Sequence, residues 1–293
     1  MRFARFDVGD GPRVGVVDGS VVVEVHQPLS ALIGGAERTP TGITVPLEVT
    51  TLLPPLSEDC RGIFCIGLNY VEHQVEASER FGPTAPEHPI FFFKHASAVA
   101  GPADDLPLDA AISREFDWEV ELGVVIGKAG RNIEPSDVAR HIFGYTIVND
   151  ITARDLQRRH QQWHLGKNVD RSTPVGPWIV TADEFEFPPV VDLSLRVNGV
   201  EKQHAVSSDM IFDLVDQITC LSHSMMLMPG DIIATGTPSG VGFVRQPPEF
   251  LVDGDVVESE IHGIGCLRNH VRTDPGERPS DLFNAGTEKA SSS

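Results

Sequence analysis

The chain has 293 residues, 41% of them hydrophobic and 22% charged, and carries a formal net charge of −19. This is the composition of a globular protein large enough to bury a sizeable core. The acidic balance argues against nucleic acid or anionic lipid as partners, since both require a basic surface to release counterions. The first 25 residues, "MRFARFDVGDGPRVGVVDGSVVVEV", predict short strands near 2–7, 13–17 and 20–25, broken by Gly-Asp turns. They lack the uninterrupted apolar segment of a secretory signal. Nowhere is there an apolar run long enough to span a membrane as a helix, and the four cysteines (Cys60, Cys65, Cys220, Cys266) show no C-x-x-C pair. A cytoplasmic protein with reduced thiols is expected. A small β-rich N-terminal domain is assigned to 1–55, ending at the proline boundary "TLLPPLSED".

Beyond this boundary "GIFCIGL", "PIFFFK", "WEVELGVVIG", "IFGYTIVND", "PWIVTA", "VDLSLRVNG" and "DIIATG" are strand candidates. Helical patterns are fewer: 69–80, 135–140, 151–161 and 209–223. Strands predominate without a regular βαβ alternation, which predicts a mixed β fold with peripheral helices, a β-roll or sandwich, over 56–272. The tail 273–293, polar and rich in Pro, Gly and Ser, is predicted to be disordered.

Within "EFDWEVELGVVIGK", alternation puts Trp118, Val120, Leu122, Val124 and Ile126 on one side and Glu119 and Glu121 on the other. Acids on one strand face are ordinarily just solvated. Two such neighbours, roughly 6.5–7 Å apart, can also turn toward one divalent cation, and hard oxygen ligands favour Mg²⁺, Mn²⁺ or Ca²⁺. Asp150, at the end of the next apolar run, projects a third carboxylate, although an acid there commonly caps a helix. If 151–161 is helical, Arg154 and Gln157 share a face near Asp150, and Lys167 in "LGKN" adds an ammonium; singly, such cations usually lie in water. In "GLNYVEHQVEA", His73 and Glu76 are three apart, so on a helix the carboxylate can orient the imidazole as a general base; the ordinary reading is a weak surface pair. Thr237, in the Gly-rich "IIATGTPSGVG", suits a turn that holds a carboxylate, and the absence of a Walker lysine argues against a nucleotide site.

Taken in order, "GLNYVEHQVE", "DWEVELGVVIGK", "NDITARDLQ", "LGKN", "LRVNG" and "MPGDIIATGTPSGVG...LVDGDVVESEIHGIG" resemble the fumarylacetoacetate hydrolase family from about Cys65 to Val271. The resemblance implies a β-roll catalytic domain, usually a homodimer, with Mg²⁺ or Mn²⁺ held by Glu119, Glu121 and Asp150. It implies that Arg154, Gln157 and Lys167 surround the substrate, that Thr237 contacts its carboxylate, and that His73 and Glu76 lie on a lid. Two positions depart from the family pattern: His95 stands where Pro is expected, and Asn168 where Ser is commoner. The implied reaction is hydrolysis of a C–C bond in a 2,4-dioxo acid of acylpyruvate type, by water that His73 and Glu76 activate, with Lys167 and Gln157 stabilising the oxyanion. The same site could instead decarboxylate oxaloacetate or tautomerise a 2-hydroxy-dienoate of aromatic degradation; a reading of another class is a non-catalytic binder of 2-oxo acids.

Overall fold

A computed structural model describes residues 1–56, 60–81 and 86–273. Most of the tail expected to be disordered, and part of the proline boundary, lie outside the described residues. The N-terminal strands β1 (Arg2–Asp7), β2 (Arg13–Asp18), β3 (Val21–Val25) and β4 (Pro40–Pro46) form a meander of antiparallel pairs. Then come β5 (Ile63–Gly67), β6 (Ile90–Lys94), β7 (Val120–Ile126), β8 (Ile142–Asn149) and β9 (Thr173–Thr181). Strands β10 (Asp192–Val197), β11 (Val200–Val206), β12 (Ile232–Ala234), β13 (Val256–Ile261) and β14 (Gly265–Arg272) complete the set of longer strands. One large sheet runs β4-β3-β2-β1-β9-β8-β7-β12-β5-β6, and a smaller one runs β11-β10-β13-β14. The N-terminal strands therefore extend the large sheet, because β1 pairs antiparallel with β9 through Phe3 opposite Ile179.

The small sheet covers one face of the large one: Leu122 and Val124 of β7 share a buried cluster with Leu193, Leu195, Val257, Leu267 and Val271. On the opposite face Val125, Val148, Ile179 and Ile232 pack with Phe3, Val14, Val16, Leu29 and Leu32. Strand β7 is thus buried along its whole length. A polar side chain on it must find partners inside the protein rather than water.

Helix α1 (Val71–Phe81) agrees with its predicted span to within two residues. The other helical patterns differ in type or extent. Residues 135–141 form a 3-10 segment. In 151–161, Thr152 and Ala153 pair in extended conformation with Phe116 and Asp117, so helix α2 spans only Arg154–Arg159. Helix α3 (His164–Lys167) follows. Helix α4 (Leu214–Ser224) begins late because Asp213 caps it, its carboxylate accepting the N–H groups of Val215 and Asp216 at 2.8 and 2.9 Å. Among the described residues no helix is long and apolar enough to cross a membrane.

Candidate metal and active site

Register brings the three acids together. Val120 lies opposite Asn149 in the β7–β8 pair, so Glu119 and Asp150, one residue beyond, face each other; the Asp150 N–H donates to the Glu119 carbonyl at 2.8 Å. Glu121, two residues along, shares the face of Glu119. The outcome is a buried triad in which one carboxylate oxygen each from Glu119, Glu121 and Asp150 all lie within 4.8 Å of one another. Asp150 caps no helix.

The three carboxylates are held differently. Glu119 meets the Lys167 ammonium at 2.6 Å and the Arg154 guanidinium at 2.5 Å. Burial alone would raise its carboxyl, but those two cations outweigh burial and hold it at about 2. Asp150 is gripped from both sides, by Lys167 and by Lys94, each at 2.6 Å. Among the described residues Glu121 has no ion-pair partner; it accepts the Gly236 N–H at 2.9 Å, and burial, with Asp150 and Glu119 beside it, pushes its carboxyl well above the usual range. Three hard oxygen donors, one of them lacking a cation partner, fit a divalent ion such as Mg²⁺ or Mn²⁺. Asp117, two residues before Glu119, is fully buried and accepts from Arg154, Gly242 and Phe243 at 2.8, 2.6 and 3.1 Å.

The cations reach the triad through close backbone approaches. A β-carbon on Gly166 would stand 2.7 Å from the Gln157 nitrogen and 2.8 Å from the Ala153 carbonyl, so glycine is what lets α3 rest on α2 and carry Lys167 inward. The ammonium resists losing its proton: burial opposes the charge, but Asp150 and Glu119 outweigh it and raise the pKa. At Gly236, φ is 98° and a β-carbon would meet that of Asn69 at 2.6 Å; this glycine frees the N–H that Glu121 accepts. Asn69 is itself fully buried and ties the start of α1 to Phe212 and Thr235.

Helix α1 closes over the triad. The His73 Nδ1 lies 3.3 Å from Glu76, whose carboxylate also accepts the Gly240 N–H at 3.2 Å, while Glu72 accepts the Ser239 hydroxyl at 3.1 Å. His73 is buried rather than a surface residue. A cavity of about 290 Å³ is lined by His73, Glu119, Glu121, Arg154, Gln157, Lys167 and Thr237, with apolar walls that include Phe92, Trp163 and Phe243. Of the residues singled out from the sequence, Asp150 lies behind this lining and Glu76 behind His73. Thr237 lines the cavity, but its hydroxyl already donates to the Val120 carbonyl at 3.1 Å and accepts from Gln203 at 2.8 Å.

Sequence reasoning missed Lys94 and Asp117. The signal for Asp117 was present, because "DWEVE" extends the acidic alternation by one step. Lys94 closes an apolar strand as a lone cation, and nothing local marks it as buried. The two departures from the family pattern meet each other: the His95 N–H, which a proline would lack, donates to Asn168 at 2.6 Å. Asn168 also donates to the carbonyls of Phe93 and His164, at 3.1 and 2.9 Å, stapling the strand that carries Lys94 to the helix that carries Lys167.

A β-roll with a buried Glu-Glu-Asp triad beneath a His-bearing helix defines a class, and comparison with known proteins agrees with it. The family described as fumarylacetoacetate (FAA) hydrolase C-terminal matches residues 62–272, and the one described as Rv2993c-like, N-terminal matches residues 1–55. The chain belongs to the fumarylacetoacetate hydrolase family and is an enzyme of it. It is 44% identical over 225 residues to the oxaloacetate tautomerase YisK of Bacillus subtilis (strain 168), which covers 77% of this chain and 74% of that protein. Among solved structures, a fumarylacetoacetate hydrolase from psychrophilic Exiguobacterium antarcticum superposes with TM-score 0.83 at 36% identity, covering 94% of this chain and 100% of that one. A 2-hydroxyhepta-2,4-diene-1,7-dioate isomerase from Mycobacterium marinum gives TM-score 0.80 at 34% identity, with the same coverage.

Proposed function

We propose that this enzyme interconverts the enol and keto forms of a small 2-oxo acid of the oxaloacetate kind, with Mg²⁺ or Mn²⁺ held by Glu119, Glu121 and Asp150. The observation that carries the reading is that Glu119 and Glu121 of the triad, the Lys167 ammonium and the His73 imidazole line one small cavity with apolar walls. Its volume lies near the lower end of the ~300–1,000 Å³ common for small-molecule sites, which suits an acid of few carbons. Similarity to an oxaloacetate tautomerase and to a dienoate isomerase supports moving a proton over adding water. The hydrolysis expected from the sequence shares the same constellation but requires a water molecule held against the carbonyl.

A divalent ion at the triad would act as a Lewis acid on the 2-oxo group and acidify the neighbouring C3 hydrogens. The protein's own groups then divide the work. His73, oriented by Glu76, takes the proton from C3; the C–H electron pair becomes the C2–C3 double bond, and the carbonyl pair moves to oxygen. Lys167 stays an ammonium, so it offers hydrogen bonds to the developing oxyanion rather than acting as a base. His73 returns a proton to that oxygen, completing the neutral enol. Phe92, Trp163 and Phe243 keep bulk water from quenching the enolate.

The test follows decay of the oxaloacetate enol absorbance with Mg²⁺, with Mn²⁺ and with chelator, alongside release of CO₂ and of pyruvate. Acceleration that requires metal and leaves the mass of the substrate unchanged is the expected result. If acylpyruvates are cleaved to pyruvate and a second acid while the enol decays at its uncatalysed rate, hydrolysis replaces this reading.

A further inference from the structure

We infer that Arg158 selects substrates bearing a second carboxylate by receiving that group at the far end of the cavity from the triad. The inference rests on the reading above for the 2-oxo end of the substrate and adds what the other end must be. It follows from which cation at the cavity is not already committed to the triad and the 2-oxo end of the substrate. Arg154 is committed to the site's own groups: Nε donates to Asp117 at 2.8 Å, Nη1 donates to Gln157 at 3.1 Å, and Nη2, which makes no hydrogen bond, is ion-paired with the buried Glu119 at 2.5 Å. Its guanidinium carbon also sits 4.1 Å over the Phe243 ring. Lys167 donates to Glu119 and Asp150, and its third N–H is the one the proposed reaction uses at the 2-oxo end. Lys94 lies behind Asp150, bonded to it and to the Ile151 carbonyl at 3.0 Å, and does not line the cavity.

Arg158 differs on each count. It lines the cavity one helical turn beyond Arg154, roughly 6 Å farther along α2. Its side chain is 47% exposed, and among the described residues its only partner is Glu115, met through Nη2 alone. Nε and Nη1 are left to donate. A half-exposed ion pair of this kind contributes little by itself, so Glu115 aims the guanidinium without competing strongly with an incoming anion. The cavity walls include the rings of Phe92, Trp163 and Phe243, which offer a carboxylate no strong donor. A substrate whose chain ends in a carboxylate gains a charge-assisted contact at Arg158; one that ends in a methyl or aryl group gains none.

The experiment compares oxaloacetate with pyruvate, which shares the 2-oxo acid end and lacks the second carboxylate. Affinities are measured by calorimetry on the full-length Mg²⁺-loaded protein and on Arg158→Gln and Arg158→Lys. The wild type should prefer oxaloacetate by about tenfold or more, Arg158→Gln should lose about tenfold on oxaloacetate and stay within about twofold on pyruvate, and Arg158→Lys should recover part of the loss. An unchanged Mg²⁺-induced rise in melting temperature verifies that the Gln variant folds and keeps its triad. Equal losses on both ligands, no loss on oxaloacetate, or no wild-type preference would each overturn the inference. The two readings fail separately. Discrimination through Arg158 without faster enol decay keeps this inference and removes the proposed reaction; fast enol decay that is identical in Arg158→Gln does the reverse.

Discussion

Replacing Glu121 by Gln and, separately, Glu119 by Gln should change metal-free stability very differently while abolishing the same metal response. Among the described residues Glu121 has no ion-pair partner, and the charges of Asp150 and Glu119 beside it outweigh that of the more distant Lys167. A carboxamide keeps the volume and the acceptor for Gly236 and removes a buried, unpaired acid. Without metal, Glu121→Gln should therefore be neutral or stabilising, within about 1 kcal/mol. Glu119 is the opposite case, paired with both Lys167 and Arg154. Its removal leaves buried cations undercompensated, at a cost of about 3–5 kcal/mol. At ~2–4 °C per kcal/mol for a chain of this size, that is a fall in Tm on the order of 10 °C. Mg²⁺ at one hundred times its Kd should add about 2.7 kcal/mol to the wild type and nearly nothing to either variant. Thermal unfolding of the three proteins in chelator and in Mg²⁺ gives all six values. A Glu121→Gln variant that keeps the full Mg²⁺ response would refute the triad as the metal site. Equal metal-free losses in the two variants would refute the charge argument.

Three further outcomes are expected. Lys94→Met leaves Asp150 with one cation and the Ile151 carbonyl without its donor; denaturant unfolding in chelator should show a loss of about 3–5 kcal/mol, and a loss below about 1 kcal/mol would mean that the pair is not the buried anchor its geometry suggests. His73→Ala should slow enol decay by ~10²–10⁴-fold while leaving the Mg²⁺ stabilisation intact, whereas loss of both would make His73 a structural support of the triad. Asp213→Ala removes the cap of α4 and should cost ~0.5–2 kcal/mol without altering the kinetics of enol decay, since the helix lies outside the cavity lining.

Local alternation made the acidic pair legible in "DWEVE", and the i, i+3 spacing made the His73–Glu76 pair legible in "VEHQVE". What could not be read was their surroundings. The pattern of β7 is equally that of a strand with one solvated face, and only the long-range pairing of β7 with β8 and β12 decides that both faces are covered. That burial turns Glu119 and Glu121 from ordinary surface acids into groups that must be neutralised. The over-long helix at 151–161 fails for a related reason: Thr152 and Ala153 find strand partners in Phe116 and Asp117, and tertiary pairing overrides local propensity.

The same distinction explains why the constellation of charges leaves two chemistries open. Carboxylates, an ammonium and an imidazole at these distances serve water addition and proton transfer alike, because both pass through charge on the same oxygen. What separates them is whether a water molecule can reach the carbonyl carbon, and that depends on Phe92 from β6, Trp163 beside α3 and Phe243 after the Gly-rich turn. Each is an unremarkable aromatic in its own stretch of sequence. A β-carbon at Gly67 would stand 2.6 Å from the Trp163 ring, so the absence of a side chain there lets the indole close one wall of the cavity. On the proposed reading, the choice between reactions is carried by packing between distant segments and not by the charges themselves.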